Sequence, residues 1–581
     1  MSVFLTRILP QDKITFFLAV FVWGSAVVLS VLHRVWRKKN SNQKLWRMLC
    51  CIPMAACAVH LIFFHFRGLW EFTLVFYGSI YFTALIMIFW QFLYRRKYSY
   101  CIVTVLVNIF AGLSVLAAVL IPAGSYPSLG NYTREDYTQA FLSTVERMEK
   151  EYVLSRWKEI DYEDLSEEIL PMVEKAQKEQ NGTDYYIALL TYCYYFYDGH
   201  VGALPLSEEG TASAEEAKKQ LAGNDYGFSM VTLEDKTTIA VLVDEKSEAY
   251  QTGIHDGTVI TKWNKIPIEQ AREEVQCIYP EMMFPVAENE EYLKTIFLAG
   301  RGPEKIEVSF LDGEGKEQTQ MLTSNGSYQK RLEQAAARFY HADGENAAEE
   351  NFSCRMLNED CGYLRITSEL YETLGDTLAS INGTYPEISE LVNDRLEKLR
   401  EEGMKKLIID LRNNEGGLDE VSMEVASLFA EEDRFCYSIG EKRDGTYVPL
   451  DKRSYHGKGT WADIPVVVLV NAKCCSAGDS MAWYLSQLPN VTLMGITTSN
   501  GVDQNAGGMC IVSNGEFGVL YPVGLVLGED EQPLIDTRAD RISRVSLDEH
   551  IGLTKEAAME IFLQDSDYEL EYAVKYLEKS P

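Results

Sequence analysis

Residues Pro465 to Ser486 read PVVVLVNAKCCSAGDSMAWYLS. Val466 to Val470 form an unbroken apolar run, which suits a strand buried on both faces of a parallel sheet. Asn471 to Cys475 read as a short turn. From Ala477 to Leu488, Met481, Ala482, Leu485 and Leu488 recur at helical spacing. Ser476 therefore falls where a strand ends and a helix begins. That junction sets a hydroxyl at the carboxyl edge of a sheet, where open α/β folds place their chemistry. It also aims the amides of a helix N-terminus at an anion forming on a substrate. Taken alone, such a serine is more often an ordinary helix-start residue.

A second stretch changes that balance. Lys406 to Gly417 read KLIIDLRNNEGG. Leu407–Leu411 is another apolar strand, and Arg412–Gly417 a tight loop. Its paired glycines let backbone approach a ligand closely and expose N–H groups. Asp-Leu-Arg-Asn-Asn-x-Gly-Gly, followed by Ser-Ala-Gly-acid at Ser476–Asp479, resembles the tail-specific (C-terminal processing) serine peptidases. The same fold serves the tricorn core proteases and some non-enzymatic retinoid carriers.

The resemblance covers residues 132–581. It implies an α/β catalytic domain at 327–581, with the ClpP/crotonase-like mixed sheet and helices. A helical subdomain (132–222) and a PDZ-like β domain (224–325) would precede it. Helical patterning over Phe141–Glu151, Tyr162–Lys178 (broken or kinked at Pro171) and Tyr185–Tyr197 fits the former. In the latter, Gly227, Phe228, Ser229 and Met230 match the loop that captures a chain-terminal carboxylate on backbone amides, beside a strand to which a peptide adds. Ser229 stands where a second glycine is common. A PDZ-like domain that only props the catalytic part is the alternative.

The same resemblance implies Ser476 as nucleophile, with an oxyanion met by the amide of Ala477 and one from Gly416 or Gly417. The Ser/Lys members of the family carry a lysine about 25 residues after the serine. Here that offset is Gly501, and no lysine occurs between Ser476 and Lys555. The tricorn-like arrangement with a histidine base remains. Asp198-Gly199-His200 follows the last predicted helix of the helical subdomain and resembles the segment supplying that histidine. Of the eight histidines, His33, His60 and His65 belong to the apolar N-terminal region, and His255, His341, His456 and His550 are less well placed. The family's acid lies some sixty residues after the serine. Asp540 is the first choice, with Asp536 and Glu549 behind it. Cys475 is an alternative nucleophile that the motif register disfavours.

Charge is divided unevenly. Residues 1–123 hold 12 Lys and Arg against 2 acids, while the rest holds 42 against 83. A part this acidic repels phosphate, which argues against nucleic acid. Four apolar segments, Ile14–His33, Met48–Phe66, Leu69–Leu93 and Cys101–Ala123, each have about the twenty residues needed to cross a bilayer. Basic residues crowd the loops after the first and third segments, which places those loops in the cytoplasm. After a linker at 124–131, the acidic part is then expected outside it. The twelve cysteines form no CxxC pair or metal-ligand spacing, so neither metal nor cofactor is implied. The expected activity is that of a membrane-anchored serine endopeptidase acting on extended protein or peptide substrates. An inactive peptide- or ligand-binding scaffold of the same fold is the second reading. The oligomeric state stays open.

Overall fold

The computed structural model describes residues 128–579, save 281, 342–350, 371–385 and 444–445. Before residue 128 it describes the helix Gln43–Arg67 and scattered residues between 18 and 32 and between 80 and 87. Most of the four apolar segments therefore lies outside the described residues, as does 124–127 of the linker. Among the described residues, no helix is long and apolar enough to cross a membrane.

The chain divides into two compact units. The first takes in residues 1–131 with 378–383 and 507–509, and the second takes in the remainder. All that follows concerns the second.

Its centre is a six-stranded sheet in the order Glu549–His550, Val491–Gly495, Val466–Leu469, Lys406–Asp410, Cys361–Ile366, Phe352–Met356. Neighbours run parallel except the last, which is antiparallel to Cys361–Ile366. The apolar runs read from the sequence are its middle strands. Val466–Val470 and Leu407–Ile409 are almost entirely buried. They divide their side chains between two cores, with Ile408, Val467 and Leu469 in one and Leu407, Ile409, Val466 and Val468 in the other. Burial on both faces explains why these strands lack polar alternation.

Helices Pro386–Glu402, Asp419–Ser427 and Ala477–Ser486 connect successive parallel strands. Pro386–Glu402 turns Ile388, Val392, Leu396 and Leu399 inward, and Gly403 follows at φ 117°. A second, antiparallel set pairs Phe517–Leu527 with Gly202–Pro205 through residues 517–520 and with Arg434–Arg443 through residues 525–527. The latter pairs in turn with Thr446–Tyr455. The mixed α/β architecture expected from the sequence is present.

The helical subdomain comprises Tyr137–Glu151, Tyr162–Glu179 and Gly182–Tyr194. The middle helix runs through Pro171 without a break, contrary to expectation. Pro171 and Glu167 both face solvent, so the carbonyl that loses its intrahelical bond lies on the side of the helix that water can reach. The 224–325 region folds as a two-stranded ribbon, Ser229–Thr232 with Thr238–Val241. Beside it lies a four-stranded sheet of Ile266–Pro267, Ile260–Trp263, Lys305–Leu311 and Glu317–Thr323.

Candidate active site

The turn after Val466–Leu469 delivers Ser476 directly onto the first residue of the helix Ala477–Ser486. Ser476 holds φ 58° and ψ −126°. A serine in that region stores roughly 1–3 kcal/mol of strain, which the surroundings must hold in place. They do so from both sides. The Ser476 amide donates to the Val502 carbonyl (3.1 Å), and the Cys475 amide donates to the Asn414 carbonyl (3.0 Å).

Gly416, at φ 82°, closes against the serine. A Cβ there would stand 2.6 Å from Ser476 Cβ, 2.8 Å from the Cys475 carbonyl oxygen and 3.1 Å from the Ala477 nitrogen. The glycine loop and the nucleophile turn thus touch backbone to backbone. Ala477 opens its helix, where amides have no intrahelical acceptor. The Gly416 amide is already committed, since it donates to Asn414 Oδ1 (2.8 Å). Of the two glycines offered by the sequence for the oxyanion, Gly417 is the one with no amide bond of this kind, and it is exposed.

Asn414 is the bracket of this loop. Its Nδ2 donates to the Ile366 carbonyl (3.0 Å) and to Glu369 Oε1 (2.7 Å). Burial pushes the Glu369 carboxyl up to about 8. Its backbone carbonyl accepts from Leu418 N (3.1 Å), and its amide donates to Gly416 O (3.1 Å). Nothing in the sequence motif marks Glu369, because it lies on a different strand end.

The polar run Thr497–Gly508, expected to be a mobile loop beside the serine, is instead buried from Thr497 to Gln504. The physical reason is satisfaction of its backbone. Asp479 accepts from the amides of Gly501 and Val502 (3.1 Å each), and Asn289 Nδ2 donates to the carbonyls of Thr498 and Ser499 (3.0 Å each). Burial raises the Asp479 carboxyl to about 7.

His200 meets this same loop. Its ring lies against the Gln504 backbone, two residues from the carbonyl that holds Ser476. Gly199 packs so closely on Asn500 that a Cβ would overlap its side chain. Burial lowers the His200 imidazole, against the opposing pull of Asp198 and the Gln504 backbone. Its Nδ1 is buried without a hydrogen-bond partner. Asp198 does not orient the ring. It accepts the backbone N–H of His200 (2.8 Å) on one oxygen and the Tyr152 hydroxyl (2.7 Å) on the other.

The acid requires a correction. Asp540 is exposed, and its Oδ1 accepts from the amide of Ile542 (3.2 Å), a local turn bond. Asp536, the second choice, is fully buried and accepts from Gln504 Nε2 (2.5 Å). Burial, then the nearby Asp198, raise the Asp536 carboxyl to about 7, with Lys158 opposing. Glu549 sits on the edge strand and accepts from the Tyr572 hydroxyl (2.8 Å). Cys475 is held by burial at about 12, which removes it as a thiolate nucleophile at neutral pH.

The residues expected to capture a peptide terminus also need correction. Gly227 to Met230 are buried, with Phe228, Ser229 and Met230 fully inaccessible. The Gly227 amide donates to Asp225 Oδ1 (2.8 Å), and the Ser229 hydroxyl bonds the Tyr328 hydroxyl (2.6 Å). Helix Ala287–Leu298 packs on the strand, with Thr295 Oγ1 at 2.6 Å from Thr232 Oγ1. The backbone of Gly227–Met230 is thus covered by the chain's own side chains.

Residues 360–532 match the model of Peptidase family S41. That is the region holding both motifs and Ser476. The carboxyl-terminal-processing protease of Synechocystis sp. is 36% identical over 104 residues, 18% of this chain and 23% of that protein. The carboxy-terminal processing protease CtpA of Bacillus subtilis is 35% identical over 107 residues, 18% of this chain and 22% of that protein. The chain thus matches less than a quarter of the length of these relatives. Among solved structures, mature CPAF covers 77% of this chain and 96% of its own (13% identity, TM-score 0.48). The photosystem II D1 C-terminal processing protease covers 74% and 98% (16% identity, TM-score 0.32).

Proposed function

We propose that the chain is a serine endopeptidase, anchored in the membrane by its N-terminal apolar segments and acting outside the cytoplasm on extended stretches of protein substrates. Ser476 is the nucleophile and His200 the general base. Asp536, which accepts from the side chain of the same Gln504 whose backbone meets His200, is the acid of the site. The observation that carries this reading is the shared loop. Ser476 is held by the carbonyl of Val502, and His200 rests on the backbone of Gln504. A neutral imidazole, favoured by its burial, is the form a base requires. His200 takes the proton of Ser476 Oγ as that oxygen adds to the scissile carbonyl. It then returns the proton to the leaving amine, leaving an acyl-enzyme for water to cleave. The oxyanion is met by the amides of Ala477 and Gly417. Burial of Gly227–Met230 speaks against terminus capture, which needs that loop accessible.

The test uses the full chain in detergent, an unstructured protein substrate and a fluorophosphonate probe. Cleavage and labelling by the parent, abolished in Ser476→Ala and reduced at least 10²-fold in His200→Ala, is the expected result. Cleavage that survives Ser476→Ala would refute it.

A further inference from the structure

One buried cation stands behind the proposed His200–Asp536 pair, and no sequence motif marks it. Lys158 lies in the turn after the first helix of the helical subdomain and is 6% exposed. Its ammonium donates to the Tyr197 carbonyl (2.8 Å) and to Thr537 Oγ1 (3.0 Å). Tyr197 is three residues before His200, and Thr537 directly follows Asp536. One side chain therefore ties the segment bearing the base to the segment bearing the acid.

Its neighbours repeat the pattern. Tyr152 donates its hydroxyl to Asp198 (2.7 Å), and Trp157 Nε1 donates to the Asp536 carbonyl (3.0 Å). The stretch Tyr152–Lys158 thus grips both segments at four points. Charge points the same way. Asp198 and Asp536 are both fully buried. Lys158 faces these two carboxylates together with the Arg541 guanidinium. Asp536 also faces Gln504 and interacts with the buried Asp479 and Asp503. His200 faces Asp198 and the Gln504 backbone.

We propose that Lys158 is a positioning residue of the peptidase, holding the His200 turn against the Asp536 segment and setting a cation beside the two buried carboxyl groups, Asp198 and Asp536. The inference rests on the Ser476/His200 reading for its catalytic consequence, but not for the staple itself. The sign of the effect is fixed. Lys158 opposes proton uptake at Asp536, so removing it makes that uptake easier and activity fails at higher pH than in the parent.

Three variants separate the parts. Lys158→Met removes charge and both bonds, Lys158→Arg keeps the charge, and Thr537→Val keeps the charge and loses one bond. Fluorophosphonate labelling of the full chain is followed against pH, with kcat and KM for a peptide. In Lys158→Met, kcat falls about 10²-fold with KM within about twofold, as a small misplacement of a base costs. The acid limb moves to higher pH by about 1. Lys158→Arg restores the limb, and Thr537→Val lowers kcat without moving it. An acid limb unchanged in Lys158→Met, with activity lost only in proportion to the folded fraction, overturns the proposal.

Hydrogen exchange reads the staple without activity. Amides of 197–200 and 536–538 exchange faster in Lys158→Met while those of the central sheet do not. Equal protection in both proteins overturns the staple. Absence of labelling in the parent overturns the peptidase reading instead, and the exchange result then still decides the staple.

Discussion

Gly416→Ala tests the contact on which the site depends. The new Cβ would sit 2.6 Å from Ser476 Cβ and 2.8 Å from the Cys475 carbonyl oxygen. Carbon atoms pack at about 3.5–4.0 Å, so one of the two must retreat by about 1 Å. The glycine side resists, because Glu369, Ser368 and Asn414 all bond Gly416, through its carbonyl and its amide. The serine turn resists less, being already strained at φ 58°. Displacing a nucleophile by about 1 Å costs on the order of 10²-fold in rate. That corresponds to about 2.7 kcal/mol of transition-state stabilisation. An alanine at φ 82° adds roughly 1–2 kcal/mol of backbone strain to the folded state. The expected result is kcat/KM down about 10²-fold and folding stability down by about 1–3 kcal/mol, with the exposed neighbour Glu415→Ala near the parent in both. The assays are peptide cleavage and urea unfolding. A folded Gly416→Ala within threefold of the parent in kcat/KM would show that the glycine loop does not set the position of Ser476.

Substrates matched except for a free or amidated C-terminus should be cleaved with kcat/KM within about twofold of one another, because Gly227–Met230 is buried; a preference of tenfold or more for the free acid in competition assays would contradict this. Arg412→Met should destabilise the fold by about 3–5 kcal/mol in urea unfolding, since it takes one of two guanidinium partners from the buried Asp410, leaving Arg365, and the cation from the buried Glu569. It also unties the tail, whose Asp567 (2.7 Å) and Glu569 (3.2 Å) bond the same guanidinium, and a loss under 1 kcal/mol would discount the network. Thermal stability should fall as pH rises from about 6.5 to 8.5. Glu369 at about 8, and Asp479 and Asp536 at about 7, hold protons in the folded state that the unfolded chain releases above about pH 4. The lowered His200 and His341 oppose this trend only at its start, because their unfolded forms are half protonated at about pH 6.5 and largely neutral by about 7.5. A Tm that is flat or rising across that range would refute the assignment of these buried acids.

The parallel strands were legible because burial on both faces leaves only one composition that works, an unbroken aliphatic run such as Val466–Val470. The serine's place was legible because a strand run and a helical period meet there. Asp536 and Asp540, four residues apart in one polar segment, look alike in sequence. What separates them is tertiary. Trp157 and Gln504 reach Asp536 from elsewhere in the chain, while Asp540 finds only its own turn. The loop 497–504 looked mobile for the same reason. Polar residues suggest solvent until Asp479 and Asn289 are seen to satisfy the backbone. Gly227–Met230 kept the pattern of an open loop, but a local pattern carries no record of the helix and the tyrosine that cover it.

The two signature motifs are thus only the inner surface of the site, and buried charges tie them to the rest of the chain. At one end Arg412, within the glycine motif, is fully buried among Asp410, Asp567 and Glu569, and Glu569 also accepts from the amide of Ile496 (2.8 Å) just before the buried loop. At the other end Lys158 joins the segments of His200 and Asp536. Each cation binds parts of the chain more than a hundred residues apart, and each lies against carboxylates that would be costly to bury alone. Both are needed for the same reason. A strained serine keeps its geometry only if the loops on either side cannot yield, and apolar packing, being non-directional, holds position less tightly than hydrogen-bonded charge. No lysine follows Ser476 at the offset of a Ser/Lys dyad, and the buried Lys158 lies instead one layer further back, bonded to the segments that bear His200 and Asp536.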